Sequence, residues 1–197
     1  FQCLAARGYE YDASTFPTVL GPVARAYYFM TARLTREQKE ERKQLFGRFS
    51  DGFAQLKPYL LDVEQGPLLE IPVTTMPLFR TPFHVSYLLY LWQASRGLAL
   101  RYFRMALSLC RLRGISPSLL LHPLDFLGAD DDTDLSFFPA MSAPGAAKTQ
   151  FVAELLRIYS EQFQVVTLQE HCRGVVGHRP DTSLEAEVSP TGMEVSR

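Results

Sequence analysis

The stretch Ser118-Leu119-Leu120-Leu121-His122-Pro123-Leu124-Asp125 reads as an apolar run of strand length that delivers one imidazole to its C-terminal end. Side chains just past the carboxyl ends of strands line the working face of barrels and open α/β sheets. Imidazole titrates near neutrality, so a histidine placed there can give or take a proton. The plainer alternative is a structural histidine whose ring nitrogens are satisfied by backbone groups. Asp125 follows closely enough to affect His122, although a loop carboxylate is the default for it.

A second stretch, Gly8-Tyr9-Glu10-Tyr11-Asp12-Ala13-Ser14-Thr15-Phe16-Pro17, reads as a short aromatic strand that ends in Asp12 before a turn. Taken together, Gly-Tyr-x-Tyr-Asp-x-Ser and Leu-Leu-Leu-His-Pro resemble the fourth and fifth motifs of the polysaccharide deacetylase, or NodB-homology, family. Leu69-Glu70-Ile71-Pro72-Val73-Thr74-Thr75 and Phe163-Gln164-Val165-Val166-Thr167-Leu168-Gln169-Glu170-His171 resemble later strands of that family's domain. The resemblance covers residues 1–172. It implies an α/β fold, the C-terminal portion of a distorted (β/α) barrel, with strands near residues 9–11, 68–74, 118–122 and 164–168. An inserted amphipathic helical region would separate Asp12 from His122.

The chemistry that the resemblance implies is hydrolysis of an N-acetyl group on a carbohydrate, the cleavage of a non-peptide carbon–nitrogen amide bond. A divalent metal, zinc in most of the family, polarises the carbonyl and activates water. His122 is then the general acid that protonates the departing amine. Asp12, matching the fourth-motif aspartate, stabilises the imidazolium, and Leu120 or Leu121 walls the acetyl pocket. The family's paired-Asp strand end, its His-x-x-x-His loop and an Arg-bearing motif belong upstream of Asp12. The chain starts at Phe1 with eleven residues before Asp12, so it reads as a fragment. The zinc ligands and the base are expected outside it, and the chain alone is not expected to turn over substrate. A different class of reading is a non-catalytic module, a degenerate deacetylase fold that binds a glycan or a partner. No G-x-S-x-G elbow supports a serine hydrolase, and no glycine-rich phosphate loop is present.

Composition is that of a globular domain, with 47% hydrophobic and 21% charged residues among 197, enough for one substantial core. A net charge of −1 argues against a nucleic-acid binder, which needs a basic excess to neutralise phosphates. Cys3, Cys110 and Cys172 are odd in number and widely spaced, so neither a disulfide framework nor a zinc knuckle is implied. Unpaired, buried thiols fit a reducing compartment, either cytoplasmic or membrane-peripheral.

Between the two motifs, Thr35 and Gln38 suit a capping box that opens a charged, solvated helix towards Phe49. Residues 84–113 are helical in pattern, with Gly97 as the expected break. At about 100° per residue, Arg96, Arg101, Arg104 and Arg111 share one arc, and Leu91, Leu98, Tyr102, Met105 and Leu109 share the opposite one. Ile71 to Leu124 contains six arginines and no acidic residue. That surface suits phosphates, at a membrane or on a lipid-linked glycan, while arginines interrupt every window long enough to span a bilayer. Asp130, Asp131, Asp132 and Asp134 lack the glycine and glutamate of an EF-hand and read as a solvated loop. A helix is expected over 146–162, with Phe151, Leu155, Ile158 and Phe163 on one face. His171, Cys172 and His178 lack metal-site spacing, and residues 173–197 read as a disordered tail.

Overall fold

The structure, a computed structural model, describes residues 1–20, 52–131 and 140–177. The helix expected over 35–49, Asp132, Asp134 and His178 lie outside those residues. The chain opens with a short helix, α1 (Gln2–Ala6), which Gly8 stops at a φ of +75°, a left-handed turn that a glycine takes without a Cβ clash. The aromatic strand then forms as β1 (Tyr11–Asp12). Two more strands, β2 (Tyr59–Val63) and β3 (Gly66–Glu70), make a hairpin and complete a sheet of order β1-β3-β2. Strand β3 is central, so Leu68, Leu69 and Glu70 are all buried. It runs parallel to β1, with Asp12 opposite Glu70, and antiparallel to β2.

The parallel ladder continues past the end of β3. The Ile71 N–H donates to Asp12 O and the Val73 N–H to Thr15 O, both at 2.9 Å. Pro72 sits between those two donors, at a position whose N–H would face away from β1. Its missing donor therefore removes no bond to β1.

Two expected strands are corrected. Residues 118–122 run extended but enter no ladder; Leu120 O accepts from the Val85 N–H at 3.2 Å, and His122 O from the Asp125 N–H of the following turn at 2.9 Å. Side chains take over instead: the Thr74 N–H donates to Ser118 Oγ at 3.1 Å and the Ser118 N–H to Thr74 Oγ1 at 2.8 Å. Proline brackets the segment at Pro117 and Pro123, removing donors a strand would need. Residues 164–167 are exposed and irregular, and Leu168–Gly177 is helical (α5). Thr167 and Glu170 explain this, because they form a capping box: the Thr167 N–H donates to Glu170 Oε2 at 2.8 Å and the Glu170 N–H to Thr167 Oγ1 at 3.2 Å. Helix α5 packs Leu168, Cys172 and Val175 with Tyr11, Leu60, Leu69 and Ile71 of the sheet region. Residues 173–177, expected in the tail, therefore belong to a packed element.

Two helices follow the sheet, α2 (Val85–Ala94) and α3 (Arg96–Leu112). Ser95 joins them in an extended conformation and caps α3 by accepting from the Leu98 N–H at 3.3 Å. The break thus falls two residues before Gly97, where a hydroxyl is available as an N-cap. The buried face of α3 is Ala99, Phe103, Ala106, Leu107 and Cys110, which corrects the expected stripe: Leu98 is 52% exposed and Met105 47%. The small Ala99 and Ala106 let neighbouring helices approach where the larger leucine and methionine would not fit. The arginines of the opposite arc are exposed as expected.

Helix α4 (Gly145–Gln162) buries Phe151, Leu155 and Ile158 in the same core as α2 and α3, and Phe163 packs at its edge. The acidic loop is not merely solvated: Asp130 Oδ1 accepts from the Gly145 N–H at 2.7 Å, satisfying an orphan donor of α4. Cys110 and Cys172 are buried, whereas Cys3 is exposed, and all three are free. Among the described residues no helix is long and apolar enough to cross a membrane.

Candidate functional site

His122 ends the extended segment at the N-cap of a 3-10 turn, Pro123–Asp125. The turn brings Asp125 back under the histidine, so that the His122 N–H donates to Asp125 Oδ2 at 2.7 Å. Ser86, in the first turn of α2, reaches the same place from the other side of the core. Its hydroxyl donates to Asp125 Oδ1 at 2.7 Å and lies 3.1 Å from His122 Nδ1. Asp125 is buried, and its Oδ2 lies 3.7 Å from Nδ1.

These contacts fix the chemistry of the ring. A hydroxyl has one proton, and Ser86 gives it to Asp125 Oδ1. Ser86 Oγ then accepts from His122 in the Nδ1–H tautomer, in which Nε2 has no hydrogen-bond partner among the described residues. With its side chain 46% exposed, the ring can meet a substrate through that nitrogen. The arrangement is not a serine triad. There the carboxylate and the hydroxyl occupy opposite ring nitrogens, whereas Ser86 and Asp125 share one.

His84 stands beside this group at the N-cap of α2. Its ring meets that of His122 edge-on with centroids 5.7 Å apart, and it also touches Phe16 and Tyr87. It is buried, and its Nδ1 has no hydrogen-bond partner among the described residues. Burial, then the neighbouring His122, push its pKa down to about 4, with Asp125 opposing. His84 is accordingly neutral at pH 7. Stability should record this. Below pH 6.5 the unfolded chain protonates His84 while the folded chain resists until about pH 4, so stability falls across that window by about 3 kcal/mol. Urea unfolding at pH 7 and pH 4.5 checks it: His84→Phe should shrink the acid-induced loss by about that amount, and an identical loss in both proteins would contradict the assignment.

Asp12 occupies a different cluster. Ser14 donates to its Oδ2 from the hydroxyl at 2.5 Å and from the N–H at 3.3 Å. Burial works to raise the Asp12 pKa, but the hydrogen bonds from Ser14, from the Glu70 carboxyl and from the Ala13 and Ser14 backbone outweigh it, and the net direction is down. Glu70 moves the other way. Complete burial pushes it up, and the Asp12 charge adds to that against the stabilising bonds from Thr15, whose N–H donates to Glu70 Oε1 at 2.9 Å. Glu70 Oε2 is buried and takes no hydrogen bond from an N–H or hydroxyl of the described residues.

The structure therefore does not pair the two expected site residues. No hydrogen bond or ion pair joins Asp12 to His122, and the carboxylate beside the imidazole is Asp125. Asp12 instead lines an open depression of about 320 Å³ with Leu4, Tyr9, Glu10, Tyr11 and Ala13, none of which belongs to the His122 group. The two clusters approach through Phe16, four residues beyond Asp12, which packs on His84. Of the expected acetyl-pocket residues, Leu121 packs against the core and Leu120 is exposed beside His122, the alternation of an extended segment. The sequence reading missed Ser86, His84 and Glu70. Glu70 had a signal in retrospect, since it ends an apolar run as Asp12 does.

Among the described residues no three His, Cys, Asp or Glu side chains cluster so as to hold a metal ion. The donors among the described residues do not fit a zinc centre. Compared with models of known protein families, with curated proteins and with solved structures, the chain matches none.

Proposed function

We propose that this chain carries the proton-donating part of a carbohydrate N-deacetylase centre, with His122 as the general acid. The observation that carries the reading is the capture of His122 Nδ1 by Ser86 and Asp125 on a half-exposed ring whose other nitrogen has no hydrogen-bond partner among the described residues. An amide nitrogen is a poor leaving group until protonated, and a positioned imidazolium supplies that proton through Nε2 as the carbon–nitrogen bond breaks. Asp125, rather than Asp12, balances the imidazolium charge. The C-terminal portion of a (β/α) barrel belongs to the same proposal; β1 and β3 pair in parallel with Asp12 and Glu70 in register, while β2 joins β3 antiparallel. The substrate class is an N-acetylated carbohydrate, free or lipid-linked, and zinc would be held by residues beyond the described ones. The test is acetate release from an N-acetylated oligosaccharide by a protein in which these residues follow the paired-Asp and His-x-x-x-His motifs. Release must require an imidazole at position 122; release at full rate without it removes the reading.

A further inference from the structure

Among the described residues Lys148 is the one lysine that the fold buries completely, at 0% exposure, in the first turn of α4. Its ammonium forms no ion pair with a carboxylate of the described residues. Nζ donates instead to Leu124 O at 2.5 Å and Leu127 O at 2.6 Å, and it lies 3.6 Å from Met141 Sδ. A buried cation is costly unless its donors are matched and its charge is balanced. Here both conditions are met by the turn that follows His122: two of its carbonyls take the protons, and Asp125, with Asp131 beyond it, supplies the balancing charge that opposes the effect of burial.

We infer that Lys148 is a positioning residue for His122, acting through the turn that carries Asp125. The chain of contacts is continuous. Lys148 clamps Leu124 O and Leu127 O onto α4, which fixes Asp125 between them. Asp125 in turn holds the His122 N–H and the Ser86 hydroxyl, and these determine which ring nitrogen bears hydrogen. The charged and titratable groups facing His122 are Asp125 at Nδ1 and His84 at the ring edge, with Lys148 and Asp131 one layer behind. Removing the ammonium leaves the part-buried Leu124 and Leu127 carbonyls without this donor and Asp125 without its cation, so the turn loses the anchor that aligns the imidazole.

The inference builds on the role given to His122, but its test does not use turnover. In the 197-residue chain labelled with ¹⁵N at histidine, the neutral His122 ring should be a single Nδ1–H tautomer in the unaltered protein. It should become a mixture of both tautomers in Lys148→Met, which keeps the apolar stem and removes the donors, with Lys148→Gln as a second variant. A pure Nδ1–H tautomer retained in either folded variant overturns the inference. In the unaltered chain the Lys148 ammonium protons should also exchange slowly and couple through hydrogen bonds to the Leu124 and Leu127 carbonyl carbons. A freely exchanging ammonium overturns the inference even if neither variant folds. A tautomer that responds to Lys148 in a protein whose acetate release ignores His122 would leave the positioning role standing and remove the deacetylase reading.

Discussion

In a protein that joins these residues to the paired-Asp and His-x-x-x-His motifs, the general-acid role proposed for His122 predicts that His122→Ala slows acetate release from an N-acetylated oligosaccharide by about 10²- to 10⁴-fold in kcat, the usual worth of a positioned general acid. The loss falls on kcat because the proton moves only as the carbon–nitrogen bond breaks, while KM changes little. Alanine removes the ring without placing a new group against Ser86 and Asp125, which can still bond to one another. An unchanged kcat would mean that the exposed imidazole is a bystander and that the resemblance in Leu120-Leu121-His122-Pro123 carries no chemistry.

Gly128→Ala should destabilise the fold by about 3 kcal/mol or more, at the upper end of what overpacking costs. A Cβ at Gly128 would stand 2.2 Å from Gly145 N and 2.3 Å from Ala143 O, both backbone atoms that no rotamer change can move aside. The third neighbour, Asp130 Oδ1 at 2.6 Å, is the group that caps α4 through the Gly145 N–H. The start of α4 must therefore shift, and Lys148 with it. Gly174 in α5 is the control: nothing lies within 4 Å of a Cβ added there, and alanine there should stabilise the helix by about 0.5–1 kcal/mol. Urea midpoints measure both; a Gly128→Ala midpoint equal to that of the unaltered chain would show that the junction is loose.

The helices were the most legible part of the chain because their apolar residues recur with the helical period over ten or more positions. The phase of α3 misled where side-chain size did: leucine and methionine at 98 and 105 outrank alanine at 99 and 106 on any hydrophobicity scale, yet close helix packing needs the small residues. Strand β2 escaped notice because Lys57-Pro58 reads as a loop and Glu64-Gln65 is not a recognised hairpin turn. The 118–122 segment has strand composition, but its ladder is replaced by reciprocal Ser118 and Thr74 bonds, a long-range pairing with no sequence signal. Thr167 to Glu170, by contrast, spells a helix start that takes precedence over the β-branched run before it.

At the site, His122 was visible as an imidazole at the end of an apolar run, and Asp125 as its near neighbour in sequence. Ser86 arrives from 36 residues away on another helix, so nothing local announces it. Lys148 was invisible for a different reason: a lysine in the first turn of a helix normally points to water, and only the carbonyls of a distant turn make its burial favourable. Asp12 was assigned to His122 by motif order, whereas strand register gives it Glu70 as a partner.

The central claim is that Ser86 and Asp125 hold the hydrogen of His122 on Nδ1 and leave Nε2 to work. A two-bond ¹H–¹⁵N spectrum of the histidine rings, recorded with His122 neutral, reads this directly. A single Nδ1–H tautomer at His122 is the predicted result; an Nε2–H tautomer there would contradict the claim.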